Sequence, residues 1–292
     1  MSARLLFIHC LSPLHAGTGQ SIGAVDLPIA REVSTGLPFL PGPSIKGSLR
    51  DAARTRLDSP DDVIRLFGPE TANAADHAGA LAFGDGRLVC MPARSIHGTF
   101  AWATSPMLMQ RLLRDALEAG LAPPQEARSL AVKSIGQART TDSCIVQKNN
   151  RIIFEDLDFS SSPCATTTAL AAWLAPLIFD SEGEQAAFRS RFVVLNDDAM
   201  SFLSRHAVDT VTRASIDPET KTVKRGQLWT EENLPTESIL AALVADIPVL
   251  ARRCEGGVFP RLQTLCKQTV QFGGHATIGR GRCNVRMQGG DR

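Results

Sequence analysis

The chain has 292 residues, of which 43% are apolar, 21% charged and 5% aromatic. A fold of this size buries roughly 75% of the surface its unfolded chain exposes, so it needs neither a metal nor a disulfide to hold it. The 31 basic and 30 acidic residues nearly cancel, which excludes a histone-like or ribosomal-tail protein but leaves nucleic-acid binding open, because that depends on where the charges sit.

No apolar run reaches the length of a membrane-spanning helix. Met1 leads almost at once into a strand-like stretch without a signal-peptide cleavage pattern, so the expectation is a cytoplasmic protein with no membrane partner. Seven scattered cysteines form no C-x-x-C pair and lack histidines at zinc-finger spacing, which argues against a structural zinc site.

Charge is uneven along the chain. Arg252 to Arg292 holds eight Lys/Arg against two acids, Met1 to Arg56 holds six against three, and Ile152 to Phe188 holds six acids and no base. If the basic ends meet in space they make a positive surface suited to a phosphate backbone; the alternative is ordinary solvated surface.

In chain order, Leu5 to Cys10 is a near-continuous apolar run and reads as a buried strand. Ser44 to Leu57 reads as a helix capped by Ser44, with Ile45, Leu49, Ala53 and Leu57 on one face. Asp62 to Phe67 is a short helical turn, and Leu81 to Met91 has strand character. The clearest helix runs from a Ser105 cap through Pro106 to Gly120. Thr166 to Ile178 reads as a helix broken by Pro176. Phe192 to Leu195 is a strand, and Asp197 to His206 a helix that Asp197 could cap.

Val208 to Ile216, a turn at Asp217-Pro218-Glu219-Thr220 and a return from Lys221 to Trp229 make a hairpin. It carries Arg213, Lys221, Lys224 and Arg225 and few large apolar residues, so it should project. Pro260 to Gln271 is a helix or helix plus strand, and Ile278 to Met287 closes as a strand. Strands and helices without regular β-α-β spacing favour an α+β fold, with one domain over residues 1–292 and the hairpin at about 208–229 as an insertion.

Two Gly-rich segments fail as nucleotide motifs. Gly17-Thr18-Gly19 to Gly23 is one residue too long for a dinucleotide fingerprint, and Leu27-Pro28 blocks the helix it requires. In Gly42-Pro43-Ser44-Ile45-Lys46-Gly47-Ser48, Lys46 precedes the glycine, so it is no P-loop. Lys46, Arg50 and Arg54 nevertheless recur every four residues as a basic stripe, either a solvated face or a phosphate contact beside Ser44 at the helix start. The C-terminal loop, with Gly273, Gly274, Gly281, Arg280 and Arg282, has the glycines and free amides of an anion-binding nest, and phosphate contact is the favoured reading.

Three segments in order carry a resemblance. They are His15-Ala16-Gly17-Thr18-Gly19 through Asp26-Leu27-Pro28-Ile29 to Arg31-Glu32, then Thr35-Gly36-Leu37-Pro38 to Arg50, and the C-terminal Gly-rich loop. Together they resemble the RAMP superfamily of CRISPR systems, and the Asp26 segment resembles the backbone subunit of type III-B (Cmr) effector complexes. Phe83-Gly84-Asp85, Gly98 to Thr104, and Gln227-Leu228-Trp229 to Pro235 agree. Leu121 to Phe159 matches least well.

The resemblance implies a modified RRM-like (ferredoxin-like) palm with inserted helical segments and a β-hairpin thumb. It implies copies stacked along a CRISPR RNA with other Cmr-type subunits, and target RNA cut at six-nucleotide intervals with Mg2+ or another divalent cation. Asp26 matches the carboxylate required for cutting and is the possible metal ligand. Read from the residues alone it is a turn residue before Leu27-Pro28. His15 could assist proton transfer, and Glu231 or Glu232 could supply a second carboxylate. The competing readings are a non-catalytic scaffold subunit, the related type III-A backbone subunit, and a metal-free guide-processing RAMP nuclease.

Overall fold

In a computed structural model, which describes residues 2–19, 25–70, 77–251, 254 and 256–290, the chain is α+β. Its elements are β1 (Ala3–Cys10), β2 (Phe39–Leu40), α1 (Gly42–Arg56), α2 (Pro60–Phe67), β3 (Leu81–Phe83), β4 (Gly86–Arg94), β5 (Phe100–Thr104), α3 (Pro106–Glu118), β6 (Gln137–Thr140), β7 (Arg151–Phe154) and β8 (Leu157–Pro163). The second half adds α4 (Ala165–Ile178), α5 (Glu182–Arg189), β9 (Phe192–Leu195), α6 (Asp197–His206), β10 (Asp209–Ile216), β11 (Val223–Asn233), β12 (Ile239–Asp246), α7 (Pro248–Ala251), α8 (Val258–Leu265), β13 (Val270–Gln271) and β14 (Arg282–Gln288).

One large sheet runs β13-β14-β1-β12-β4-β5-β9-β6-β8-β7. Its β14-β1-β12-β4 centre is antiparallel throughout. All eight residues of β1 are buried, as its apolar run requires, because α3 and α4 pack against it. The sheet extends beyond a simple RRM-like palm because β6 and β7, from the poorly matched stretch, and β8, which starts at its end, add to β9. β1 pairs with β14 from Leu5↔Gln288 to Cys10↔Cys283, so the basic chain ends do meet. Arg252, Arg253 and Arg292, counted in that charge, lie outside the described residues, as do residues 20–24 of the first Gly-rich run.

The hairpin β10-β11 forms a separate two-stranded sheet. Asp217 shapes its turn by accepting the amides of Glu219 and Thr220 at 2.9 and 3.0 Å. Among the described residues no helix is long and apolar enough to cross a membrane.

Several local expectations are corrected. Helix α1 starts at Gly42, and Ser44 lies in its first turn without capping it; Pro43, its second residue, presets the helical φ. Gly84 and Asp85 split the expected strand at Leu81 to Met91 into β3 and β4. Helix α4 continues through Pro176, which falls in its last turn, where Leu174, Ala175 and Ile178 are all buried. Asn196, not Asp197, caps α6, while Asp197 accepts the amide of Met107 at 2.9 Å and so serves α3. The closing strand begins only at Arg282, because 276–278 is a single 3₁₀ turn.

Candidate RNA interface and carboxylate site

Residues 13–19 and 25–31 flank the foot of the thumb and are stitched to it. Leu14 and Leu234 exchange both backbone hydrogen bonds at 2.9 Å. Pro28 disfavours helical backbone at Leu27. Leu27 lies beside β11, donating its N–H to the Thr230 carbonyl and accepting that of Glu232, both at 3.0 Å.

Asp26 sits at this seam and is exposed. Its Oδ2 accepts the Thr230 N–H at 2.7 Å and the Thr230 hydroxyl at 3.0 Å, while its own N–H donates to Thr230 Oγ1 at 3.1 Å. The Thr230 amide, then the hydroxyl, hold the carboxyl below its ordinary value of 3.8, so Asp26 is an anion at neutral pH. All three bonds to Thr230 use Oδ2 or the amide and leave Oδ1 unused.

The other acid–base candidates are engaged internally. His15 is only 6% exposed. Its Nδ1 lies 2.8 Å from the Glu232 carbonyl, which can only accept, so Nδ1 carries the proton. Its Nε2 abuts Gly17, where a Cβ would lie 2.5 Å away. The Glu232 carboxylate accepts the Ile29 amide at 3.1 Å and pairs with Arg31, whose guanidinium also reaches the carbonyls of Gly36 and Ser204.

Glu231 is 1% exposed. It accepts Trp229 Nε1–H at 2.8 Å and faces Arg213 at 3.5 Å and His275 Nε2 at 3.8 Å. Burial raises its pKa, but the Trp229 bond and the charges of His275 and Arg213 outweigh that and leave it below 4.5. Asp26 is therefore the one free carboxylate among these three. Among the described residues no group of three or more His, Cys, Asp or Glu could hold a metal ion. A hydrated divalent cation held here would have Asp26 as its single protein ligand, with phosphate and water supplying the rest.

The basic stripe divides. Arg54 is paired with Asp51 at 3.1 Å and Glu70 at 2.9 Å. Lys46 and Arg50 make no ion pair among the described residues, and the buried Arg50 Nε has no hydrogen-bond partner among them. The start of α1, expected to attract phosphate, already holds an anion: Gly42 donates its N–H to Asp85 Oδ1 at 2.7 Å.

The C-terminal loop is likewise partly committed. Gly273, at φ +69°, has the His15 carbonyl 2.2 Å from where a Cβ would lie; at Gly281, φ +73°, the Phe272 carbonyl is 1.9 Å away. The amides of Gly274 and Gly281 donate to the carbonyls of His15 and Pro13 at 2.9 and 2.8 Å. These glycines thus answer to close packing on the palm, which leaves Arg280 and the exposed Arg282 as the loop's cationic contribution. On the thumb, Arg213 is engaged by Glu231, whereas Lys221, Lys224 and Arg225 are exposed.

The sequence reading missed Thr230, Trp229 and His275. The lone histidine inside a Gly-rich loop is a signal that could have drawn attention; a threonine on a strand is not.

A comparison with protein-family models matches residues 7–284 to the RAMP superfamily. The chain belongs to the RAMP superfamily. This RAMP chain is 29% identical, over 99% of its length and 96% of the relative's, to the CRISPR system Cmr endoribonuclease Cmr4 of Pyrococcus furiosus. The crystal structure of oligomeric Cmr4 from Pyrococcus furiosus superposes with a TM-score of 0.74 at 21% identity, covering 100% of both chains. A chain from the cryo-EM structure of the type III-B Cmr-beta complex bound to cognate target RNA superposes with a TM-score of 0.74 at 20% identity, covering 98% of this RAMP chain and 97% of the other. These likenesses show a shared fold over essentially the whole chain.

Proposed function

We propose that this chain is the repeated guide-binding backbone subunit of a type III-B CRISPR effector and cuts guide-paired target RNA beside Asp26. One observation carries the reading: an exposed, ionised carboxylate, with one oxygen left unused by its bonds to Thr230, is fastened to the foot of a projecting hairpin. The near-full-length similarity to a Cmr endoribonuclease supports the reaction class.

RNA is cut when a 2′-oxygen attacks the adjacent phosphorus and the 5′-oxygen leaves, which yields a 5′-hydroxyl end. The attack must be in line, so splaying the strand supplies much of the acceleration. Asp26, held below 3.8, is a weak base; its role is to orient the 2′-hydroxyl through Oδ1. A divalent cation such as Mg2+ would be held here by Asp26 Oδ1, RNA phosphates and water, and would supply charge neutralisation at the phosphate. Lys46, Arg50, Arg280 and Arg282 hold guide phosphates. Further copies of the chain and other Cmr-type subunits complete the assembly, and cuts recur every six nucleotides.

Asp26→Asn tests this in the assembled complex. Target binding stays within a few-fold, and cleavage falls by at least about 10²-fold, as expected for losing one charged contributor. Undiminished cutting would leave a scaffold subunit, a reading favoured by the internal engagement of His15, Glu231 and Glu232.

A further inference from the structure

Cys10 of β1 and Cys283 of β14 stand directly opposite each other, 273 positions apart in the chain. Both are fully buried, and their sulfurs lie 3.9 Å apart. The backbone hydrogen bonds fix the kind of pairing. Cys10 donates its N–H to the Ser238 carbonyl at 2.9 Å and accepts the Glu237 amide at 2.8 Å, so both its backbone groups face away from β14. The bond from β1 to the β14 side comes one residue later, from the Leu11 amide to the Arg282 carbonyl at 2.8 Å. Cys10 and Cys283 are therefore a non-hydrogen-bonded pair, where opposed Cα atoms approach to about 4.5 Å. That spacing lies within the span of a disulfide. One buried thiol is a small inert core residue, but two facing each other across the first and last strands can become a bond.

We propose that Cys10 and Cys283 are a dithiol that closes to an intramolecular disulfide, by exchange with a small-molecule disulfide, when β14 parts from β1. The closed sheet protects the pair. The hydrogen bond with Cys283, then burial and the charges of Cys283 and Glu237, push the Cys10 thiol well above its ordinary 9.0, and a neutral thiol is no nucleophile. β14 is the strand able to part, because only the two-residue β13 covers its outer side. Once exposed, one cysteine loses its proton to water, and its thiolate attacks a sulfur of the small disulfide, expelling one small thiolate and leaving a mixed disulfide. The other cysteine, deprotonated in turn, attacks the protein sulfur of that mixed disulfide and expels the second small thiolate. The pair gives up two electrons and two protons, and the small disulfide leaves as two thiols. The re-formed sheet then has its first and last strands joined covalently, a latch set by oxidation. The inference rests on neither RNA binding nor cleavage.

The test incubates the full chain with oxidised glutathione, in native buffer and in about 2 M urea, alkylates the remaining thiols and maps the products by mass spectrometry. A peptide pair joining Cys10 to Cys283 is expected. It should form at least about tenfold faster in urea, because opening of the strand limits the reaction. The oxidised chain should melt at least about 5 °C above the same chain kept in reduced glutathione. Cys283→Ala should show neither the linked peptides nor the shift, with circular dichroism confirming its fold. On the parent chain alone, both cysteines still alkylated after full exposure, or each joined to some other cysteine, overturns the proposal whether or not the variant folds. A linked pair without a rise in melting temperature overturns the latch, and a rate that urea leaves unchanged overturns the opening step.

Discussion

Asp26 and Thr230, 204 positions apart, hold each other through three hydrogen bonds that all leave Asp26 Oδ1 unused. The threonine hydroxyl accepts from the aspartate amide and donates to its carboxylate, so one side chain sets both the loop's backbone and the direction of its charge.

Thr230→Val removes the two hydroxyl bonds and keeps the one from the amide. Cleavage should fall by about tenfold from lost positioning, less than for Asp26→Asn, and Thr230→Ser should restore it. Single-turnover cleavage by the assembled complex measures both.

The basic stripe should not act uniformly. Lys46→Ala and Arg50→Ala are expected to weaken guide binding to the same degree for unrelated guides and to lower the salt slope by about one per residue. Arg54→Ala should change it little, because Asp51 and Glu70 already occupy that guanidinium. Filter binding across a salt series separates the three.

No buried core residue lies between Asp209 and Trp229. Deleting Thr212 to Lys224 should therefore leave the palm folded, with a melting temperature within a few degrees of the parent, while abolishing the regular spacing of cuts. Calorimetry and sizing of the RNA products read the two effects; a deletion variant that fails to fold would mean that the hairpin supports the palm.

Glu231 is held below its ordinary 4.5. A depressed carboxylate stabilises the fold above its unfolded value and loses that contribution as pH falls through the folded one. The thumb foot should thus stay intact at pH 4.5 and above, and acidification below that should release Trp229. The indole N–H resonance of Trp229 reports the change, and Glu231→Gln should remove this acid transition.

Much of the local structure was legible because it is written in neighbouring residues. Strand β9 coincides with the apolar run Phe192 to Leu195, and α3 starts at the Ser105 cap, whose oxygen accepts the Leu108 amide. Helix α5 is not among the expected elements, although its capping box, Ser181 with Glu184, stands in the sequence. The caps of α1 and α6 differ from the expected ones because adjacent Pro41 to Ser44, or Asn196 and Asp197, offer several starts, and contacts from elsewhere choose among them.

By itself, the sequence determined the family, the apolar centre strand and the projecting hairpin. Periodicity and motif order are properties of short stretches. Tertiary structure alone decided which titratable groups remain free. His15 is spent on the backbone of Glu232, 217 positions away, and Glu231 on Trp229 and Arg213. Asp85 takes the helix start that had looked ready for phosphate. A side chain's availability depends on desolvation and on partners brought in by sheet register and loop closure, and neither is encoded within the few residues around it.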